Sequence, residues 1–160
     1  MRASAVSTFF SKALQDGAET AAVLDELHKS FATLTQEEQK YANIFLHDVQ
    51  NGDVVVDEGR TIRDYITEYM TSAKNDQIHR FATAIGVDET MLRSFMQSKI
   101  TEANINEFGK FDALKATVDQ EKAKAFLEMM EGKPIKKFQI NMKIDQMLRR
   151  FILEGGFDIS

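Results

Sequence analysis

Gln139-Ile140-Asn141-Met142-Lys143-Ile144-Asp145-Gln146-Met147-Leu148-Arg149-Arg150-Phe151-Ile152-Leu153 carries its large apolar side chains at Ile140, Ile144, Met147, Leu148, Phe151 and Ile152. Steps of three and four gather these on one side of a helix, whereas the two-residue repeat of a strand would scatter them over both faces. The stretch therefore reads as a helix over about residues 139–153 with one buried stripe. Gly155-Gly156 ends it and releases a short tail over residues 155–160.

Working back from this helix, the same grammar repeats. Asp119 caps a helix running through Phe126, Leu127, Met129 and Met130, and Gly132 followed by Pro134 stops it. Residues 101–118 read as short helical turns with Thr101 and Asp112 as caps. Asp88 caps a helix with the apolar set Met91, Leu92, Phe95 and Met96. Asn75 or Asp76 caps one that ends near Ile85-Gly86. Another covers about residues 61–73, with Ile62, Tyr65, Ile66, Tyr69 and Met70 inward. Val54-Val55-Val56, between Gly52 and Gly59, reads as a short extended segment or a loop.

Nearer the start, Thr35-Gln36-Glu37-Glu38 is a capping box. The helix it opens is expected to bury Tyr41, Ile44 and Phe45, with Leu46 or Val49, and to stop at Asn51-Gly52. A helix over about residues 18–33 places Ala21, Leu24, Leu27, His28 and Phe31 on one stripe. A first helix over about residues 3–15 groups Phe9, Phe10, Ala13 and Leu14. It begins without a convincing cap, which suggests a fragment of a longer protein with Met1 as an added start. The fold class is all-α: one compact domain over residues 1–160, of about seven to nine helices.

Composition agrees. Apolar residues make up 43% of the chain, which suffices for a core, and there are one proline and eight glycines, few turn formers for an all-β fold. There are no cysteines, so disulfides and thiolate zinc sites are excluded. That usage suits a reducing cytoplasm. No apolar run approaches a membrane span, and the start lacks the apolar stretch of a signal peptide.

The sequence carries no recognisable catalytic motif. Gly109-Lys110 and Gly132-Lys133 lack the upstream glycine and following Ser or Thr of a phosphate loop. His28, His47 and His79 fit no metal-ligand spacing. Glu131-Gly132-Lys133 imitates half of a metal-dependent nuclease site, but that site needs a strand, and Gly132 reads as a helix cap. Asp57-Glu58 reads as a solvated acid pair, and no strained serine elbow occurs. No catalytic, cofactor or metal site is expected.

Charge is the first functional clue. The chain carries net −5, which argues against a protein that coats nucleic acid over its whole surface. From Lys133 to Arg150, however, six cations (Lys133, Lys136, Lys137, Lys143, Arg149, Arg150) meet one anion, Asp145. These six are the candidate DNA-binding residues. Lys136, Lys143 and Arg150 are seven apart and would share one face if the last helix began early enough. A solvated cationic face is the plainer reading of so short a run. In an acidic chain, though, a phosphate footprint has to be focused.

The rival is Ile78, Phe81, Ala82, Ile85, Gly86, Val87, Leu92 and Phe95, spaced as in a helix-turn-helix. Its second helix would turn Asp88, Glu89, Thr90, Arg93 and Gln97 outward. Two leading acids oppose phosphates, so a structural helix pair is the simpler reading. The alternative function is a stand-alone helix-turn-helix-like DNA-binding regulator using residues 78–98.

The pieces Thr61-Ile62-Arg63-Asp64-Tyr65-Ile66, Gly86-Val87-Asp88, Phe111-Asp112-Ala113-Leu114 and Leu148-Arg149-Arg150-Phe151-Ile152-Leu153-Glu154-Gly155-Gly156-Phe157-Asp158-Ile159 carry a resemblance over nearly the whole chain. It resembles the C-terminal domain of the motor (restriction, R) subunit of type I restriction-modification enzymes. The resemblance implies a bacterial, cytoplasmic complex that recognises DNA, translocates it with ATP and Mg, and cuts it remotely. Nuclease and motor domains lie upstream in such proteins. The C-terminal region is taken to dock the motor onto the methyltransferase core and to help guide DNA. The implied partners are the methyltransferase core subunits and DNA, with no membrane.

The purified chain is expected neither to hydrolyse ATP nor to cleave DNA. ATPase turnover that a point substitution within the chain abolishes would overturn this.

Overall fold

The structure, a computed structural model, describes residues 17–159. The helix expected over residues 3–15 lies outside the described residues. Among those described there are seven α-helices, three 3-10 turns and no strand. The helices are α1 (Ala18–Ser30), α2 (Gln36–Asn51), α3 (Ile62–Ile85), α4 (Glu89–Gln97), α5 (Gly109–Ala116), α6 (Gln120–Glu131) and α7 (Ile140–Glu154). None is long and apolar enough to cross a membrane. The chain clusters into two compact units, Met1–Ala73 and Lys74–Ser160.

In the first unit the capping box forms as its sequence dictates. Glu38 N–H donates to Thr35 Oγ1 at 3.1 Å, and Thr35 N–H donates to Glu38 Oε1 at 2.9 Å. Two of the helix's orphan donors are thereby satisfied. α2 buries Ala42, Phe45, Leu46 and Val49 against Leu24 and Leu27 of α1 and Tyr65 and Ile66 of α3. Ile44 does not join them and is 41% exposed. It precedes Phe45 by one residue, which places it about 100° round the helix and off the buried stripe. His28 is exposed as well. Phe45 stacks on Tyr65 at 4.7 Å, and the Tyr65 hydroxyl accepts from Asp57 N–H at 2.7 Å, tying down the loop after α2. Val54, Val55 and Val56 stay in that loop, with Val56 buried.

A break expected near Asn75 and Asp76 is absent, because α3 runs unbroken from Ile62 to Ile85. Neither residue is free to cap. Asp76 pairs with Arg80 one turn on at 3.0 Å, and the Asn75 side chain accepts from Arg93 at 2.9 Å. No glycine or proline interrupts the segment.

In the second unit all six apolar residues of α7's expected stripe are buried. Phe151 stacks on Phe81 of α3 with centroids 4.0 Å apart and planes 7° from parallel. Phe157, beyond α7, packs edge-on against both, and Ile159 is buried, so the tail folds back onto the core. Asp119 caps α6 and Asp88 caps α4, as their positions demand. Asp112 is not a cap. It lies inside α5, whose first residue is Gly109. Met129 is 59% exposed, since Phe126, Leu127 and Ala123 define the buried side of α6.

The turn from α3 to α4 depends on Gly86, at φ +67°. Val87 N–H donates back to Ala82 O at 3.0 Å, and Asp119 N–H satisfies the last carbonyl of α3, Ile85 O, at 2.9 Å. A Cβ at Gly86 would lie 2.8 Å from Asp119 Cβ. In the same unit, Asp145 of α7 accepts from Lys115 of α5 at 2.9 Å and from Arg149 at 2.6 Å. Burial alone would raise the Asp145 carboxyl, but the hydrogen bonds from Lys115 and Arg149 outweigh it and hold the group below its ordinary value.

Two outcomes test this packing. Gly86→Ala and Gly132→Ala share left-handed strain, but a Cβ at Gly132 meets nothing within 4 Å. Strain alone costs about 1–2 kcal/mol, so in denaturant titrations Gly86→Ala is expected to lose clearly more than Gly132→Ala. Asp145→Asn is expected to cost about 1 kcal/mol at neutral pH. Because the folded carboxyl is depressed, its contribution is present above the unfolded aspartate value of about 3.9 and disappears as pH falls through the lower folded value. The two proteins' unfolding midpoints therefore converge in acid. A gap that persists there would refute the ion-pair origin.

Candidate nucleic-acid interface

α6 stops where Gly132 turns left-handed at φ +72°, its N–H donating to Glu128 O at 2.8 Å. Pro134 has no N–H with which to resume the helix. Ile135 is then buried, pinning the centre of the loop to the core. Gln139 N–H donates to Lys136 O at 2.9 Å, closing the 3-10 turn Lys137–Gln139 that leads into α7. The result is a short loop tethered at both ends and in the middle.

The structure divides the six candidate cations into two sets. Lys133, Lys136 and Lys137 are exposed on the loop, and among the described residues none has a carboxylate within ion-pair distance. The other three lie on α7, each already engaged. Lys143 donates to Glu131 at 2.8 Å with its side chain only 19% exposed. Arg149 binds Asp145 and the side-chain oxygen of Asn106 and lies over the Phe111 ring. Arg150 donates to Glu154 at 3.2 Å but remains largely open to solvent.

The condition for a shared face of Lys136, Lys143 and Arg150 is not met. α7 begins at Ile140, so Lys136 precedes the helix and its 3-10 lead-in. Lys143 and Arg150 do share a face, beside an open groove of about 250 Å³ lined by Phe126, Leu127, Met130 and Phe157. Arg149 turns away from it toward α5.

Phe138 was not legible from periodicity, because it precedes the first inward residue, Ile140. The structure leaves it 80% exposed, directly after Lys136 and Lys137. Its sequence signal was only its adjacency to two lysines.

The rival helix pair offers little to phosphate. The sole cation of α4, Arg93, donates to Glu89 at 2.8 Å and to the Asn75 side chain and carbonyl at 2.9 and 3.1 Å. Hydrogen bonds from Arg93 and then His79 hold the Glu89 carboxyl below its ordinary value, so the helix leads with a firmly charged acid. The Asp88 side chain itself accepts from the Met91 amide at 2.9 Å.

His28 and His47 lie on α1 and α2 and His79 on α3, and among the described residues no three His, Asp or Glu side chains gather as metal ligands. Gly132 is the helix cap expected of it, with Glu131 paired to Lys143 rather than set on a strand.

No curated protein and no solved structure matches this chain. Residues 7–151 do match the family described as "Type I restriction and modification enzyme - subunit R C terminal". With nearly its whole length covered, the chain belongs to this family, the C-terminal domains of the R subunits of type I restriction enzymes.

Proposed function

We propose that this chain is a non-catalytic helical module of a type I restriction enzyme motor subunit. It docks the ATP-dependent translocase and endonuclease subunit onto the methyltransferase core and contributes to DNA binding. It works in the bacterial cytoplasm, with ATP, Mg and the cutting chemistry handled upstream in the same subunit. The observation that carries the DNA part is the loop: three exposed, unpaired lysines in a chain of net −5. Charge is also partitioned between the units. Residues 1–73 hold 6 cations and 12 anions, whereas residues 74–160 hold 14 and 13. An acidic body repels phosphate in general and leaves a focused basic patch to set where DNA lies.

Lys133, Lys136 and Lys137 are the residues that would contact phosphates. Lys143, Arg149 and Arg150, the rest of the basic run, would first have to give up Glu131, Asp145 and Glu154. They contribute less for that reason. Docking is supported by family membership. Deleting the chain from its parent subunit, then measuring assembly with the methyltransferase core and DNA binding separately, tests the two roles independently.

Each phosphate contact contributes about 0.9 to the slope of log affinity against log salt. Changing Lys133, Lys136 and Lys137 together to glutamate is therefore expected to weaken duplex binding across all sequences and flatten that slope. Circular dichroism should stay helical, because the buried Ile135 anchor is retained. Unchanged affinity and slope in the folded triple variant, with loss instead from Arg93 and Gln97 substitutions, would move the site to α4.

A further inference from the structure

The loop carries one feature that phosphate binding does not need. Phe138 is 80% exposed, while Ile135 and Ile140 on either side of it are buried. The ring is not out because the chain there is loose. The 3-10 turn Lys137–Gln139 is closed by its own hydrogen bond, and the two buried isoleucines hold it from both ends. Phe138 is also the only exposed aromatic residue among the described ones. Every other Phe and every Tyr there is buried or partly buried.

A flat apolar ring held out beside unpaired cations is the combination that recognises a nucleobase together with its phosphates. The ring stacks on the base, and the cations follow the backbone. In an intact duplex each base face is already covered by its neighbours, so the ring gains little unless a step is opened. Unpaired bases offer that face freely. A protein socket could also take the ring, but lysine is depleted in protein interfaces and abundant at phosphates. Between Lys133 and Ile144 the chain holds no acidic residue.

We infer that the loop Lys133–Phe138 binds DNA where bases are unpaired, with Phe138 stacking on an exposed base and Lys133, Lys136 and Lys137 holding the adjacent phosphates. The inference rests on the DNA reading above and specifies the form of DNA. It places this module at opened or single-stranded segments in preference to continuous duplex.

The chain contains no tryptophan, so Phe138→Trp installs a single fluorescent reporter at the stacking position. The experiment uses the whole 160-residue chain and three probes: an oligo-dT single strand, a blunt duplex, and the same duplex with a central unpaired bulge. Phe138→Ala is expected to weaken single-strand and bulge binding about tenfold, to leave duplex binding within about twofold, and to keep the salt slope unchanged. Phe138→Trp is expected to keep single-strand affinity and to lose emission on binding it. If the triple lysine variant weakens DNA binding while Phe138→Ala affects no probe, the DNA reading stands and the stacking inference falls. If the lysine variant binds every probe like the parent, both fall. If Phe138→Ala spares all DNA binding but blocks assembly with the methyltransferase core, the ring is a protein contact and the inference is overturned.

Discussion

The stack of Phe151 on Phe81 fixes the rotation of α7 in the C-terminal unit. A helix has one rotational freedom against its neighbours, and a buried aromatic pair removes it. Once Phe151 faces Phe81, the positions of Ile140, Ile144, Met147, Leu148 and Ile152 follow from the helical repeat. The cations of α7 then have no choice either. Lys143 and Arg150 fall beside the groove with α6, and Arg149 falls on the α5 side. The tail seals this arrangement, because Phe157 meets Phe81, Phe126 and Phe151 together.

From that phase follows the distinction between structural and available charge. Cations on α7 lie within reach of carboxylates on α7 itself or on α6, and each finds one. Arg149 joins Lys115 in holding Asp145 and Lys143 holds Glu131, whereas the Arg150–Glu154 pair lies at the surface. The lysines of the loop before α7 pair with no carboxylate among the described residues. Gly132 ends one helix, Pro134 prevents its continuation, and Ile135 turns the chain inward, leaving Lys133, Lys136, Lys137 and Phe138 outside. A run of cations that looks uniform in sequence thus separates into three that are paired with carboxylates and three that are not.

The same logic bears on the helix pair α3 and α4. Its spacing is that of a DNA reader, but its charges are committed to joining the two helices. Arg93 bridges Glu89 to Asn75, and the turn at Gly86 is occupied by Asp119 and Thr117.

Much of the fold was legible because helices are governed by local rules. The capping box at Thr35, the caps at Asp88 and Asp119, the stop at Gly132 and the six-residue stripe of α7 each depend on residues within a turn or two of one another. Failures came where a local signal had a distant competitor. Asn75 has the side chain of a cap, but Arg93, eighteen residues on, claims it, and α3 continues. Ile44 and Met129 are as apolar as their neighbours, and only the position of the facing helices decides that they stay outside. The candidate site divides in the same way. Sequence by itself located the basic run and its acidic background, since charge is carried by composition. Arg149 and Arg150 are paired by the helical repeat itself, with Asp145 and Glu154 one turn away, but the state of Lys143 was decided by tertiary structure, because Glu131 and Lys143 become neighbours only once α6 and α7 have packed.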